Sequence, residues 1–172
     1  MIVGKTNKII AIDPGYDRCG VAIVSEENNK PLVLYSACVT STKTDEQYLR
    51  LTSIFKQLET LINKHKPSHL VIETLFFSVN KKTAIRVAEA RGAILTLAGL
   101  HGLSLVELSP QAIKIAMTGT GNATKNQIEK MVRLTVVLPK NAKLDDEIDA
   151  IALGVAGIQK IKFENREKAL AK

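Results

Sequence analysis

The sequence predicts an α/β fold: one mixed sheet, an antiparallel three-strand meander joined to parallel strands, with helices on both faces. Two observations carry this. Three short, β-branched runs follow one another within the first 40 residues, joined by links short enough to demand antiparallel turns. Beyond them, strand-like runs alternate with segments whose apolar residues recur at helical spacing, the pattern of parallel strands and their crossovers. The 172 residues suit one domain with a proper core, expected over residues 1–158, followed by a basic, mixed-charge tail over 159–172.

The meander consists of Lys8 to Asp13, Gly20 to Val24 and Leu32 to Thr40, punctuated by Pro14-Gly15 and by Asn28-Asn29-Lys30-Pro31. Thr44-Asp45-Glu46-Gln47 then reads as a capping box opening an amphipathic helix. Tyr48, Leu51, Ile54, Leu58 and Leu61 mark its apolar face, and Pro67 stops it. Ser68 to Glu73 is a buried strand ending in an acid. A loop with Phe76 and Phe77 follows, then a long helix through Ala84, Ile85, Ala88 and Leu95, and a strand from Leu103 to Leu108. A short helix starts at Pro110, and a glycine-interrupted loop over 118–122 leads to a second capping box, Thr124-Lys125-Asn126-Gln127. The last helix shows an apolar stripe at Leu144, Ile148, Ile151, Val155 and Ile158.

This order of elements says where the acids go. A crossover helix commonly returns its strand parallel to an earlier one, which sets the strand ending at Glu73 beside the strand ending at Asp13. Both carboxylates then stand at the carboxyl ends of neighbouring strands, where open α/β sheets form their ligand crevice. In the last helix Asp145, Asp146 and Asp149 lie off the apolar stripe, and both the i,i+3 and the i,i+4 pairs project side by side. Helical geometry alone does not choose between Asp145 and Asp146. Clustered carboxylates repel unless a cation compensates them, and hard oxygen donors suit Mg²⁺ or Mn²⁺. Singly, each acid also has an ordinary reading, as a turn residue, a loop flank or a partner of the helix dipole.

Charge points the same way. Lys and Arg outnumber Asp and Glu by 24 to 17, a net charge of +7, so polyanions are the favoured partners, nucleic acid or an anionic membrane surface. No apolar run reaches the roughly 18 residues of a membrane span, and the first residues lack a secretory h-region. Cys19 and Cys38 have no paired spacing and read as buried, inert thiols, so a reducing cytoplasm is the expected compartment. His65, His69 and His101 have no zinc-site spacing.

The stretches IIAIDPGYDRCGVAIV, LVIETLFFSVNKKTAIRVAEARGAI, LSPQAIKIAMTGTGNATKNQI and DDEIDAIALG occur in that order. In this the chain resembles the RuvC-type crossover junction endodeoxyribonucleases of the ribonuclease H-like superfamily, from Lys8 to about Gly157. The first motif alone is shared with actin-like ATPases and sugar kinases, which clamp nucleotide between two such domains; this chain has room for one. The ordered set of four is specific.

The resemblance implies a Holliday junction resolvase that hydrolyses phosphodiesters on opposing strands in recombination and repair. It carries the catalytic, metal-binding acids onto Asp13, Glu73, Asp146 and Asp149, so it selects Asp146 over Asp145. It carries a wedge aromatic onto Phe76 and two DNA-binding lysines onto Lys114 and Lys125. Glu147, Ile148 and Thr74 depart from the family's pattern without touching the ligand set. The resemblance further implies two Mg²⁺ ions per subunit with Mn²⁺ able to substitute, a homodimer matching the junction's two-fold symmetry, and RuvA and RuvB as potential co-workers. The small-residue stretch Ala93 to Gly102 is the candidate interface. Lys81, Lys82, Arg86, Arg91 and Lys130 join Lys114 and Lys125 as basic candidates for flanking the acids. The rival readings are a YqgF-type RNA-processing nuclease, sharing the strands and acids, and a non-catalytic junction-binding module.

Overall fold

The computed structural model describes residues 8–75, 81–136 and 145–171. Five strands form one sheet in the order β3-β2-β1-β4-β5. The meander comprises β1 (Ile9–Asp13), β2 (Arg18–Glu27) and β3 (Lys30–Thr40), with antiparallel pairing throughout. Glu27 pairs with Lys30 across a two-residue turn, and both turn residues, Asn28 and Asn29, have positive φ. That is the turn whose twist matches a right-handed hairpin, and Asn tolerates it better than most residues. A register shift between Ile23 and Val24 marks a bulge.

Helix α1 (Gln47–His65) crosses over to β4 (His69–Glu73), which pairs parallel to β1, and β5 (Ser104–Leu108) pairs parallel to β4. Between them runs α2 (Lys81–Leu100). The first capping box expected from sequence does not form. Asp45 N–H donates to the Thr42 carbonyl at 3.1 Å, spending those residues on a turn, and the helix begins later at Gln47 behind Glu46, whose side chain makes no cap. The second box does form: α3 (Pro110–Thr118) leads to α4 (Lys125–Thr135), where the Thr124 hydroxyl and the Gln127 amide satisfy each other's backbone N–H groups. The chain finishes on α5 (Asp145–Leu170).

Alternation along each strand separates two cores. Ile9, Ala11, Ala22, Val24 and Val71 face α3, α4 and α5, whereas Ile10, Ile12, Val21, Ile23, Leu70 and Ile72 face α1 and α2. Strands buried on both faces read as continuous apolar runs, as they do here. Helix α5 departs from the stripe expected of it. Ala150 to Ile158 are all buried, because the helix lies against the sheet and is flanked by α3 and α4. Gly154 permits this close seat, since a Cβ there would come within 2.6 Å of Val24 Cγ2. The helix continues through the mixed-charge segment to Leu170, so residues 159–170 extend it. Leu144, the first residue of the expected stripe, lies outside the described residues.

Candidate active site

The same alternation that builds the cores aims the acids. Asp13 follows Ile9 and Ala11 in the series facing α5, and Glu73 follows Val71 in the corresponding series on β4. Register pairs Ile12 with Ile72, so the two carboxylates stand one residue beyond, on adjacent parallel strands. They line one cavity of about 180 Å³ together with Asp149 from α5, Lys114 from α3, and the apolar side chains of Ile113, Ile128 and Ala152.

The first turn of α5 is brought to this place by a glycine. A Cβ on Gly20 would sit 2.0 Å from the Asp146 carbonyl oxygen, so only glycine lets β2 and α5 approach this closely. From that seat the three aspartates diverge. Asp149 points into the cavity and pairs with Lys125 Nζ at 2.9 Å. Asp145 is largely exposed and meets the same ammonium at 3.7 Å. Asp146 leans towards β2 and β3, where Arg18 Nη2 lies at 2.5 Å and Cys38 Sγ at 3.5 Å. Next to it Glu147, one of the departures from the family's pattern, is buried and accepts a 2.8 Å hydrogen bond from Ser36 Oγ.

Electrostatically the cavity is strained. Burial, then the charges of Glu73, Asp149 and Asp146, push the Asp13 carboxyl up to about 7, with Lys125 opposing them. Glu73 is also raised, by burial first and Asp149 second. Lys125 is held charged, chiefly by its hydrogen bond to Asp149. Among the described residues no three His, Cys, Asp or Glu side chains stand close enough to share an ion. Asp149 is drawn to Lys125 and Asp146 to Arg18, which spreads the acids apart.

Of the residues singled out from sequence, Asp13, Glu73, Asp149 and Lys114 are gathered around the cavity, Lys125 reaches in from the start of α4, and Asp146 borders it from the β2 side. Phe76 lies outside the described residues, as do the side chains of Lys81 and Lys82. Arg91, one of the basic candidates, is turned inward: it ion-pairs with Glu107 on β5 and donates from Nε to the Glu73 carbonyl at 3.3 Å. Its guanidinium fastens the strand end that carries Glu73. Cys19 is fully buried, its thiol pushed up to about 12 by burial. Cys38 corrects the expectation of two buried thiols, because it is only partly buried and touches Asp146. Arg18 and Ser36, and the place of Cys38 beside Asp146, were not expected from sequence. The signal available was parity: with Gly20 and Ala22 facing α5, Arg18 does so too, and the β3 residues paired opposite follow.

The family model for the crossover junction endodeoxyribonuclease RuvC matches residues 9–157. The crossover junction endodeoxyribonuclease RuvC of Brachyspira hyodysenteriae is 39% identical over 156 residues, covering 91% of this chain and 96% of that protein. The protein of the same name from Carboxydothermus hydrogenoformans is 39% identical over 154 residues, covering 90% and 97%. In fold, the chain matches Thermus thermophilus RuvC in complex with a Holliday junction substrate at a TM-score of 0.83 and 23% identity, covering 91% of this chain and 96% of that one. The yeast mitochondrial Holliday junction resolvase Ydc2 matches at a TM-score of 0.69 and 16% identity, covering 96% and 86%. The extent of the family match and the identity to these relatives together place the chain in the RuvC family of crossover junction endodeoxyribonucleases.

Proposed function

We propose that this chain is a Holliday junction resolvase that hydrolyses phosphodiester bonds on opposing strands of four-way DNA, with Asp13, Glu73, Asp146 and Asp149 as its metal-holding acids. One observation carries the reading: carboxylates from two adjacent strand ends and from α5 meet at a cavity rimmed by Lys114 and Lys125. The donor set fits a hard divalent cation. It offers carboxylate oxygens alone, and burial, reinforced by the neighbouring carboxylates and only partly offset by Lys125, raises the Asp13 carboxyl to about 7. Mg²⁺, with Mn²⁺ as substitute, is the cation of choice, and two per subunit match the number of acids. When bound, such ions supply an activated water near neutral pH and neutralise charge developing on the phosphate.

The chain's own groups do the rest. Asp13 and Glu73, fixed by sheet hydrogen bonds, hold their ligand oxygens rigidly. Lys125 alternates between Asp149 and a phosphate oxygen, and Lys114 adds positive charge on the cavity wall. The apolar side chains of Ile113, Ile128 and Ala152 limit water around the acids. Phe76 is the proposed wedge at the exchange point. Because a four-way junction has two-fold symmetry, paired nicks require two sites and hence a homodimer. RuvA and RuvB are candidate partners on the junction.

The test is cleavage of labelled four-way junction, linear duplex and RNA–DNA hybrid, with Mg²⁺ or EDTA, by the wild type and Glu73→Gln. Symmetric, metal-dependent nicking of the junction alone, lost in the variant with binding retained, is the expected result. Preference for the hybrid, or binding without cutting, overturns it.

A further inference from the structure

The turn from Asp13 into β2 is held by a buried arginine that the chemistry above does not use. Arg50, on α1, ion-pairs with Asp17, donates from Nη2 to the Tyr16 carbonyl at 3.2 Å and from Nε to Ser41 Oγ at 3.1 Å. Ser41 Oγ itself donates to the Tyr16 carbonyl at 2.9 Å. The guanidinium also lies 5.3 Å from the centroid of the Tyr16 ring. These contacts fix Tyr16, three residues beyond Asp13, with its ring towards the helices α1 and α2.

A second guanidinium uses the same ring. Arg86, on the exposed side of α2, has its Cζ 5.5 Å from the Tyr16 centroid. Arg50 has its charge met by Asp17, whereas among the described residues Arg86 has no acidic partner within ion-pair distance. A guanidinium lying on an aromatic face is restrained in orientation while its in-plane N–H donors stay available, and those donors match the two oxygens of a phosphate. The position is apt. Tyr16 follows Asp13 at the carboxyl end of β1, and Arg86 sits in the helix that begins after the segment leaving Glu73. Lys114 and Lys125 belong to α3 and α4, on the opposite face of the sheet.

We propose that Arg86, held over Tyr16, is a phosphate-binding position on the α1–α2 side of the active-site mouth. It grips the DNA backbone across the acids from Lys114 and Lys125. The inference rests on the reading of the chain as a DNA junction nuclease. Gripping both flanks would hold the scissile strand across the carboxylates instead of beside them, which a single basic patch cannot do.

The experiment measures four-way junction binding by the full chain in EDTA from low to high KCl, for wild type, Arg86→Ala, Arg86→Lys, Tyr16→Leu and Lys125→Ala. Arg86→Ala should weaken binding about 5- to 10-fold at low salt and lower the slope of log K against log salt by about 1. Arg86→Lys should restore the slope but only part of the affinity, because an ammonium cannot donate through a planar fork. Tyr16→Leu should keep the slope and lose affinity. Since Arg86 is exposed, its variants should melt with the wild type, so a binding loss is not a folding loss. Wild-type affinity and slope in Arg86→Ala, beside a reduced slope in Lys125→Ala, overturn the inference and leave the functional reading intact. A wild type that fails to bind the junction at all sinks both.

Discussion

Asp13 shows what the cluster costs a single residue. A carboxyl held at about 7 in place of its ordinary 3.8 binds its proton more tightly in the folded chain than in the unfolded one. Stability therefore falls as pH rises through the interval between those values and stays reduced above it, by an amount on the order of 4 kcal/mol. Protonated Asp and Asn are nearly the same shape, so Asp13→Asn removes the penalty without a cavity. In EDTA the wild type should melt lower at pH 8 than at pH 5, and Asp13→Asn should flatten that profile and melt above the wild type at pH 8. Millimolar Mg²⁺ should restore wild-type stability at pH 8 and do little for the variant. Parallel melting profiles for the two proteins would show that Asp13 is not the group responsible. Asp13 was legible in the sequence because it ends an apolar strand before Pro14-Gly15, a local signal. Arg18 and Cys38 were not, because their meeting with Asp146 joins residues more than a hundred positions apart and depends on how closely α5 seats against β2.

At the scale of elements, that seat is the critical dimension. Gly20 allows the Asp146 carbonyl to sit where a Cβ would be, and Arg18 closes over the Asp146 carboxylate from two residues away. Gly20→Ala must push the first turn of α5 off the sheet or twist β2, at a cost of about 1–3 kcal/mol. The shift carries Asp146 and Asp149 away from Asp13 and Glu73. The expected outcome is a folded protein with a modestly lower urea midpoint and a far larger loss of junction cleavage and of Mg²⁺-induced stabilisation. Equal losses in stability and activity would mean that the glycine serves packing alone. Strand pairing and the two-face distribution of helices could be read from period-two and helical patterns, since each is written within one element and its neighbours. The burial of α5 around most of its circumference could not. Its Ala and Gly positions look neutral until α3 and α4 are known to flank it. The first capping box misled for a related reason, because Thr44 carries the right side chain but the Thr42 to Asp45 turn had already spent its neighbours.

The whole molecule presents its other requirement on the α1–α2 surface. An open groove of about 370 Å³ runs between these helices, lined by Leu51, Phe55 and Ala93 together with Thr52, Lys56 and Glu59. On the same stretch of α2, a Cβ on Gly92 or Gly99 would meet nothing within 4 Å, and Leu100 is 71% exposed. Small residues let another helix approach closely, and an exposed leucine beside them adds apolar surface for it to cover. The proposed resolvase needs two sites on a two-fold substrate, and an isologous contact through the second half of α2 would leave Arg86, in its first half, and the α3–α5 side of each acid cluster open to DNA. Ala93→Glu and Leu100→Glu each put an unpaired carboxylate into both halves of such a contact. Both variants should keep the wild-type circular dichroism spectrum and sediment as monomers. On a junction they should give single nicks in place of paired ones, since one active site at a time can engage. Dimers that still nick in pairs would move the interface elsewhere. Monomeric wild type that nicks in pairs would remove the need for an interface altogether.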